Sequence, residues 1–553
     1  MSTVSTKSQA RDGKKSKSER EDSAPVAEFK PNATTFLDNN RNWVICSIVV
    51  LAIAAFFRLY LINLNPLHHD EGVNGFFLTT LFREGKYTYD PANYHGPTLY
   101  YFALAAAQSA GFLFGKDAAL TTLTIRLVPI LFGLATIWLV LQLRSYIGSV
   151  GALMGALFLA VSPGAVYMSR YFIHETLFTF FTLAIVLAAL RFYETKDLFY
   201  LIAGAVSAGL LFATKETAVI HAAVLVIALA CVWLYSAMFP GRLDGPGPEG
   251  KGKTRRGFGA EFGMVVQRLG GARWLLLYVC IALLIFVAVN VVFYSSFFTH
   301  WKGVVDSVET FKYWTKTGNN EHTKPYYAYV TWLGIEEGAL LLLGTVGALF
   351  AVIRGRNRVA LFCSLWAFGI LTAYSLIKYK TPWIAVNFIV PLSIVSGFAI
   401  VSLWELSRDA LAKFLVVAVA AVAFTVGIWQ MVSLNFYHYD DDRYPYVYAH
   451  TQREFLAMMA EVDRVSKLAG TGQETNIAVM APEYWPLPWY LSKYSHVGYF
   501  GKVSNAGEPI VISTDSQDAE FSTMFSGKYR KAGSYKLRPG VTLSLWVRKE
   551  LPY

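Results

Sequence analysis

The heptapeptide HHDEGVN occupies residues 68–74 and follows directly on the first long apolar run, residues 43–64. A run of about 20 mostly apolar residues is long enough to cross a bilayer as a helix. Asp70 and Glu71 are therefore expected just outside the end of a membrane helix. Charge at a bilayer is costly to hold and indicates a functional site, although a solvated acidic loop would give the same pattern.

The composition is that of a membrane protein. The chain has 553 residues, of which 54% are apolar and 16% are charged, and its mean hydropathy is +0.39. Soluble domains carry about 25% charged residues. The 14 Trp and 32 Tyr suit the aromatic belts at the two membrane surfaces. The net charge of +11 does not indicate a nucleic-acid partner, because the basic residues collect in connections between apolar runs.

The cysteines and the N-terminus add two further expectations. The four cysteines each lie in an apolar run and are interpreted as small buried hydrophobic residues, not as disulfides or metal ligands. The first stretch of about 40 residues is polar, whereas a signal peptide becomes apolar sooner, so the first apolar run is expected to be an uncleaved anchor. Residues 1–35 are expected to be disordered, and residues 1–42 to form a cytoplasmic tail.

Eleven apolar runs are candidate membrane helices. They are residues 43–64, 121–143, 148–167, 176–191, 199–214, 217–237, 274–293, 334–353, 359–377, 383–404 and 412–432. A twelfth run, 97–114, begins with Gly96-Pro97 and could either span the membrane or lie at its surface.

Basic residues decide the topology, because cytoplasmic loops collect Lys and Arg. The loop 238–273 carries seven basic and three acidic residues and has the Gly/Pro-rich composition of a linker. This loop, the basic turn 354–358 and the N-terminal tail are all cytoplasmic only if run 97–114 does not span. That run is therefore predicted to be a juxtamembrane helix inside an external segment, 65–120. The loop 294–333 is then external as well.

The pattern changes after residue 432. Segment 446–468 has helical periodicity, and short β-like runs follow at 476–480, 509–513 and 541–548. The predicted fold is thus an all-α polytopic membrane bundle over residues 43–432, with about 11 transmembrane helices and a juxtamembrane helix. A small extracytoplasmic α/β domain is predicted over residues 433–553.

Two external connections offer polar side chains in the first part of the chain. His68 and His69 precede the acidic pair, so a His–carboxylate metal site is conceivable, although adjacent histidines do not easily face one ion. The connection YDPANYHGP, residues 89–97, is rich in turn-forming residues. Tyr94 and His95 could offer hydrogen bonds to a polar ligand, or the segment could form a turn without any binding role.

Two later external connections add cations. In SRYFIHE, residues 169–175, Arg170 suits a phosphate and Glu175 could complete an acidic cluster with Asp70, or the two could form a structural ion pair. In KYKTPW, residues 378–383, Lys378 and Lys380 could neutralise a lipid phosphate or anchor the chain at the interface.

Two other charged pairs have simpler explanations. Glu336 and Glu337 are expected at a helix N-terminus, where the helix dipole stabilises acidic residues. Lys215 and Glu216 could pair with each other.

Carboxylates and cations from separate connections are thus expected on one face of a helical bundle. Transporters usually place such charges at the membrane midplane within broken helices. No internal repeat and no paired broken helices are recognisable in the sequence. Chemistry on a lipid-linked substrate is therefore favoured over solute transport.

The motifs resemble those of the GT-C membrane glycosyltransferases, which include protein O-mannosyltransferases and lipid A aminoarabinose transferases. HHDEGVNGFF, YDPANYHGPTLYY, SRYFIHE and YKTPW are similar to motifs of the bacterial and archaeal family named flippase-activity-associated. The resemblance covers about residues 43–405. The segments WPLPWYLSKY (485–494) and LRPGVTLSLWVRK (537–549) extend it.

The resemblance implies a polyprenyl-phosphate-linked sugar donor and transfer to a protein, lipid or glycan acceptor outside the plasma membrane. Asp70 matches the acidic residue at the acceptor in these enzymes, and Glu175 matches the second acidic position. Arg170 and Lys380 match the phosphate side. The family name also leaves open a non-catalytic component of a lipid-linked-sugar flippase.

The resulting hypothesis is a single inverting displacement in which Asp70 orients or deprotonates the acceptor hydroxyl. The phosphate leaving group is already anionic, so no general acid is required, unlike in glycoside hydrolysis with two carboxylates. No metal ligand is assigned, although a divalent metal is a possible cofactor. The predicted catalytic residues are Asp70, Glu71 and Glu175, and the predicted substrate-binding residues are His69, Tyr94, His95, Arg170, Lys378 and Lys380.

Overall fold

The computed structural model describes residues 36–92, 95–243, 258–317, 323–505 and 507–551. The predicted disordered segment 1–35 and the predicted ligand-binding residue Tyr94 lie outside these ranges.

Helices dominate the chain up to residue 432. The first half contains α1 (Asn40–Leu59), α2 (His69–Glu84), α3 (Thr98–Phe114), α4 (Thr122–Leu141), α5 (Arg144–Ile147), α6 (Ser149–Val161), α7 (Pro163–Ser169), α8 (Glu175–Thr195), α9 (Leu198–Phe212) and α10 (Ala218–Met238). The second half contains α11 (Phe258–Arg268), α12 (Ala272–Tyr294), α13 (Lys302–Thr317), α14 (Ala328–Glu336), α15 (Gly338–Arg354), α16 (Arg358–Leu376), α17 (Val386–Leu406) and α18 (Ala410–Val432).

The predicted polytopic membrane bundle is confirmed. In the described part of the chain, eight helices are long and apolar enough to cross a membrane, and two bent helix pairs raise the number to ten. The predicted run 199–214 corresponds to α9, which has only 15 residues. The predicted surface run 97–114 forms α3, another shorter apolar helix, which packs between α2 and α4.

The expectation that paired broken helices are absent is wrong. Helices α6 and α7 meet at an angle of 61°, and α14 and α15 meet at 112°. Ser162 ends the first helix and caps the next, in which Pro163 occupies the first position, where its missing N–H costs nothing. Glu337 lies at the second break, and its Oε1 accepts hydrogen bonds from Ser162 Oγ at 2.6 Å and Gly164 N at 2.8 Å. The two breaks therefore touch.

Helix α17 is the centre of the bundle, because its spanning window is entirely buried. It packs against α6, α15 and α16. A Cβ atom on Gly397 would lie 2.1 Å from the carbonyl oxygen of Gly151, and one on Gly347 would lie 2.3 Å from that of Val395. Small residues thus let these backbones meet directly, as membrane helices often do.

Basic residues collect at the end of the bundle opposite Asp70. Arg144 donates to the carbonyl oxygen of Asp38 at 3.0 Å, beside the start of α1. Arg358 pairs with Glu261 of α11 at 3.2 Å. The loop 238–273, which has linker composition, therefore contains a helix that packs on the bundle.

A five-stranded sheet forms the core of the C-terminal region, so the predicted small α/β unit is confirmed. The elements are α19 (Glu454–Leu468), β1 (Ile477–Val479), α20 (Leu487–Tyr490), β2 (Val497–Tyr499), β3 (Ile510–Thr514), α21 (Asp518–Met524), β4 (Tyr529–Arg538) and β5 (Val541–Arg548). The strand order is β2-β1-β3-β5-β4, with β1 parallel to both neighbours and β5 antiparallel to both of its own. Buried Phe455 and Val462 of α19 pack with the apolar side chains of the sheet.

The C-terminal domain rests on α2. The Leu67 backbone N–H donates to the hydroxyl of Tyr490 at 2.9 Å. A Cβ atom on Gly72 would lie 2.6 Å from Pro486 Cβ, and one on Gly75 would lie 2.6 Å from Trp489 Cε3. These two glycines, one helical turn apart, let residues 485–490 lie directly on the helix that carries Asp70.

Candidate active site

The first turn of α2 fixes Asp70 by its backbone. His68 is the N-cap residue, and its Nδ1 accepts a hydrogen bond from the Asp70 N–H at 3.1 Å. The Glu71 carboxylate accepts the His68 N–H at 2.9 Å and completes a capping box. The Asp70 side chain remains 40% exposed, with its Oδ2 3.8 Å from His68 Nδ1. A carboxylate at this position is also stabilised by the helix dipole.

Glu71 points in the opposite sense, into the protein. Its carboxylate receives two hydrogen bonds from Arg126 of α4, at 2.8 and 2.7 Å, and one from the Phe172 backbone N–H at 2.9 Å. The residue has no exposed surface. The Glu71 carboxylate is thus held by hydrogen bonds inside the protein, and its predicted catalytic role stays a prediction.

Hydrogen bonds join three of the four predicted motifs. Phe172 of the segment 169–175 donates to Glu71, and its carbonyl oxygen accepts from Asn74 Nδ2 at 2.9 Å. His174 Nε2 lies 3.0 Å from the carbonyl oxygen of Gly96, which belongs to the segment 89–97. Burial, together with nearby His95 and Lys215, holds the pKa of His174 well below 6.5, so this histidine is neutral.

A second cluster of charged residues consists of two ion pairs, Glu175–Lys215 and Glu216–His95. Glu175 Oε1 is 2.7 Å from Lys215 Nζ, and Glu216 Oε2 is 3.0 Å from His95 Nδ1. Burial alone would raise the pKa of Glu216, but the contact with His95 and the charge of Lys215 lower it to about 2. Burial lowers the pKa of Lys215, and the two carboxylates outweigh that effect and raise it.

These contacts revise two expectations. Lys215 and Glu216 do not pair with each other, because each has a partner on another connection. Glu175 is buried in an ion pair with Lys215, and not with Arg170, the partner that the alternative of a structural ion pair gave it.

The segment 378–383 reaches the first turn of α2, because the ring centroids of Trp383 and His68 are 5.9 Å apart. Burial raises the pKa of the Tyr379 phenol; Lys215 lowers it, and Asp70 raises it further. These charges therefore act on one half-buried hydroxyl. The fourth motif is thus brought to the same place as the other three. Its backbone is held by a β-bridge between Tyr379 and Thr323.

The predicted phosphate ligands have different surroundings. Arg170 is only 1% exposed, and its guanidinium donates to carbonyl oxygens of Phe57, Tyr60 and Leu61 at 2.8–2.9 Å, at the end of α1. Lys380 is buried and donates to backbone carbonyls of residues 324 and 377. Both side chains thus donate to backbone carbonyl oxygens around the site, and their role as phosphate ligands stays a prediction.

The exposed cations lie close by. Lys378 is exposed, and its carbonyl oxygen accepts from the backbone N–H of Lys324, which is exposed as well. His69 is half-buried, and its ring nitrogen Nδ1 lies 3.4 Å from Arg538 Nη1 of the C-terminal domain. Burial lowers the pKa of His69 despite the opposing charge of Asp70.

Sequence reasoning missed several residues of the site. Arg126 had a recognisable signal, since it is a charge inside an apolar run, which marks a structural or functional partner. Tyr379 lay within a recognised motif but was passed over in favour of its lysine neighbours. Arg538 lay in the segment 537–549, which extended the resemblance, but its place in the site was missed because only the tertiary fold brings β4 next to α2.

The described residues do not fit a protein-bound metal. Among them, no three His, Cys, Asp or Glu side chains lie close enough to hold a metal ion. His68 directs Nδ1 to the Asp70 N–H, and its Nε2 lies 3.1 Å from the Tyr448 carbonyl oxygen.

Comparisons with known proteins agree with this architecture. Residues 97–239 match the family model of dolichyl-phosphate-mannose-protein mannosyltransferases. No curated protein sequence matches the chain.

Two solved structures share the fold over most of the chain. ArnT from Cupriavidus metallidurans bound to undecaprenyl phosphate has a TM-score of 0.56 at 14% identity, over 91% of this chain and 98% of that one. The archaeal oligosaccharyltransferase AglB from Archaeoglobus fulgidus, in complex with an inhibitory peptide and a dolichol-phosphate, has a TM-score of 0.53 at 13% identity, over 89% of this chain and 71% of that one. The predicted resemblance to the GT-C superfamily is confirmed.

Proposed function

We propose that this chain, which has the GT-C glycosyltransferase fold, transfers a sugar from a polyprenyl-phosphate donor to an acceptor at the membrane surface beside Asp70. One observation carries the proposal. Of the three predicted catalytic carboxylates, Asp70 alone is exposed, while Glu71 and Glu175 are buried in ion pairs. A base must be within reach of the proton that it removes.

The reaction is a single displacement at the anomeric carbon. Asp70 accepts the proton of an acceptor hydroxyl, whose oxygen attacks the anomeric carbon on the face opposite the phosphate. The bond between that carbon and the phosphate oxygen breaks, and the lipid phosphate leaves with the electron pair. Configuration inverts, and the leaving anion needs no proton from the protein.

The phosphate side is formed by Lys378, Lys324 and the Tyr379 hydroxyl. Lysine binds phosphate as a compact point charge. The backbone hydrogen bond between residues 324 and 378 holds both exposed lysines on one edge of the site. Lys380 and Arg170 act indirectly, by fixing the backbone at residues 377 and 57–61.

An apolar groove supports a prenyl-chain site. A cavity of about 570 Å³ lies between α1, α6 and α18. Its lining side chains are all apolar, namely Ala52, Ile53, Phe56, Phe57, Leu157, Val161, Phe424 and Ile428. Phe57 lies in the last turn of α1, only a short connection away from α2 and Asp70. The donor lipid would rest its chain here.

The charge distribution supports an orientation. The described basic contacts of Arg144, Arg268 and Arg358 lie at the end opposite Asp70. The positive-inside rule places that end in the cytoplasm. The site and the C-terminal domain then face outward from the plasma membrane, and the N-terminus lies inside.

The bent helices favour a second candidate, a non-catalytic component of a lipid-linked-sugar flippase. Broken helices that meet inside a bundle are typical of proteins that move substrates across membranes. Here the breaks at Ser162 and Glu337 are in direct contact.

One assay separates the two candidates. Purified protein in detergent is given a panel of radiolabelled polyprenyl-phosphate sugars, and the release of free lipid phosphate is measured for the wild type, for Asp70→Asn and for Asp442→Asn. Asp442 is an exposed aspartate of the segment after α18 and serves as the matched control.

Release that requires Asp70 but not Asp442, and that an added acceptor stimulates, supports the transferase. Saturable lipid binding without turnover, unaffected by Asp70→Asn, supports the flippase component instead.

A further inference from the structure

A row of aromatic rings runs from α2, the helix that carries Asp70, onto the C-terminal domain. The ring centroids of Phe76 and Trp485 are 6.0 Å apart, those of Trp485 and Tyr484 are 5.5 Å apart, and those of Tyr484 and Tyr499 are 5.1 Å apart. Phe76 is 50% exposed and Tyr499 is 38% exposed. We call these four residues the aromatic strip.

The strip begins at the candidate active site. The Trp485 ring is 6.3 Å from the ring of His69, the residue that precedes Asp70. Because Pro486 lies directly on Gly72, the start of the strip is fixed relative to the first turn of α2. The far end lies at β2, the edge strand of the sheet. A ligand on the strip would therefore extend from the reacting group outward.

Polar groups flank the rings. Glu483 pairs with Arg538, and the Glu483 side chain is 52% exposed while that of Arg538 is 16% exposed. Arg538 also lies 3.4 Å from His69 Nδ1 and from the Trp485 carbonyl oxygen. An exposed carboxylate such as that of Glu483 is unfavourable in the hydrocarbon of a bilayer, so the strip is suited to a ligand from the aqueous side.

We propose that the aromatic strip binds the acceptor and that this acceptor is a saccharide. A pyranose ring has a flat face of C–H groups and a rim of hydroxyls. Aromatic faces with their negative quadrupole pack against such C–H groups, and Tyr and Trp add polar handles. The Glu483–Arg538 pair supplies an acceptor and donors for the hydroxyl rim.

The inference deepens the proposed function and rests on it, since it names the chemical class of the acceptor. A peptide acceptor would make less use of the row of rings. It would instead be expected to add to β2, a strand of only three residues.

The test measures oligosaccharide binding by the full-length protein in detergent. Trisaccharides of mannose, glucose and galactose and a Ser/Thr-rich peptide are titrated by calorimetry. For at least one trisaccharide, we expect Trp485→Ala and Tyr499→Ala each to weaken binding by about three- to tenfold. Trp485→Phe should restore most of the affinity, because it keeps a ring at that position.

Trp274→Ala is the matched control. Trp274 is 53% exposed and lies at the start of α12, far along the chain from the strip, in the helix that follows the basic loop. Its substitution should leave trisaccharide binding unchanged. If Trp485→Ala lowers the melting temperature, Tyr499→Ala carries the test, since its ring lies on an exposed edge.

Three results would overturn the inference: binding of the peptide alone, binding of no trisaccharide, or quenching of Trp485 by brominated lipid in nanodiscs. Donor turnover is measured on the same samples. Strip-dependent trisaccharide binding without any release of lipid phosphate would contradict the proposed transferase and leave the saccharide site standing.

Discussion

Glu71 and Arg126 form a two-point ion pair, with nitrogen–oxygen distances of 2.8 and 2.7 Å, in which neither side chain is more than 1% exposed. Successive residues of a helix point about 100° apart. The pair therefore turns Glu71 into the protein and leaves its neighbour Asp70 facing the solvent. One residue of the acidic pair is held inside the protein, and the other keeps an exposed carboxylate.

We expect Glu71→Gln to destabilise the protein by about 3–5 kcal/mol, because it leaves Arg126 as a buried charge without its carboxylate. Thermal unfolding in detergent measures the effect. Asp70→Asn, a matched change at the exposed neighbour, should change the free energy of unfolding by about 0.5 kcal/mol or less. Equal melting temperatures for the two variants would contradict the structural role of Glu71.

The contact between Lys215 and Glu175 predicts strong coupling. Lys215→Met leaves the buried carboxylate of Glu175 without its cation, so we expect a marked loss of stability. Adding Glu175→Gln should restore part of it, with a coupling energy of about 0.5–3 kcal/mol in a double-mutant cycle. Lys302→Met is the control, since Lys302 is 73% exposed in its pair with Asp306. That variant should leave the free energy of unfolding nearly unchanged, and a comparable loss at both lysines would exclude a special role for Lys215.

Stability is expected to fall with pH below 6.5. Burial, together with His68, holds the pKa of His450 well below its ordinary 6.5, so the unfolded chain binds this proton first. The stabilisation is complete above pH 6.5 and declines as the pH falls, by about 1.4 kcal/mol per pH unit for each such histidine. His450→Asn retains a donor for the Tyr448 carbonyl and should flatten the profile between pH 6.5 and 5. An unchanged slope in unfolding experiments would show that His450 does not contribute.

Gly75→Ala should loosen the C-terminal domain. The added Cβ would lie 2.6 Å from the Trp489 ring, a clash for which overpacking typically costs about 1–3 kcal/mol. Limited proteolysis should then cleave the chain near residues 433–453 faster than in the wild type. Gly334→Ala is the control, because nothing lies within 4 Å of a Cβ at that helical glycine. Equal cleavage rates would contradict the docking contact.

Apolar runs made the membrane bundle predictable, because a helix that crosses a bilayer needs about 20 apolar residues. Soluble proteins rarely contain runs of that length. The positions of the breaks were harder to see: Ser162-Pro163 reads equally well as a turn or as a bend within one span. In the C-terminal domain, β4 was missed because YRKAGSYKLR is the polar edge of the sheet and lacks a run of apolar residues. The three-residue β2 is too short for any periodicity.

The four connections of the site were recognisable from their charged residues, but the roles of those residues were not. Asp70 and Glu71 are neighbours of the same chemical type, and only Arg126, 55 residues away, distinguishes them. Likewise, Arg170 is of a residue type that suits a phosphate, but its guanidinium donates to backbone carbonyl oxygens at the end of α1. The ion-pair partner of each charged residue is decided by how the helices pack. That packing cannot be inferred from the charged residues of a single sequence.

The end of the first membrane helix has a consequence for biosynthesis. Six carbonyl oxygens between residues 57 and 66 accept hydrogen bonds from Arg126 and Arg170. Arg170 follows the three carbonyls that it contacts by 109–113 residues in the chain. At the usual pace of a ribosome, that is a delay of roughly 5–20 s. Helix α1 is thus synthesised before the arginines that bind the carbonyl oxygens at its C-terminal end. The acidic turn that follows α1 takes its final form only after α4 and α7 have been synthesised.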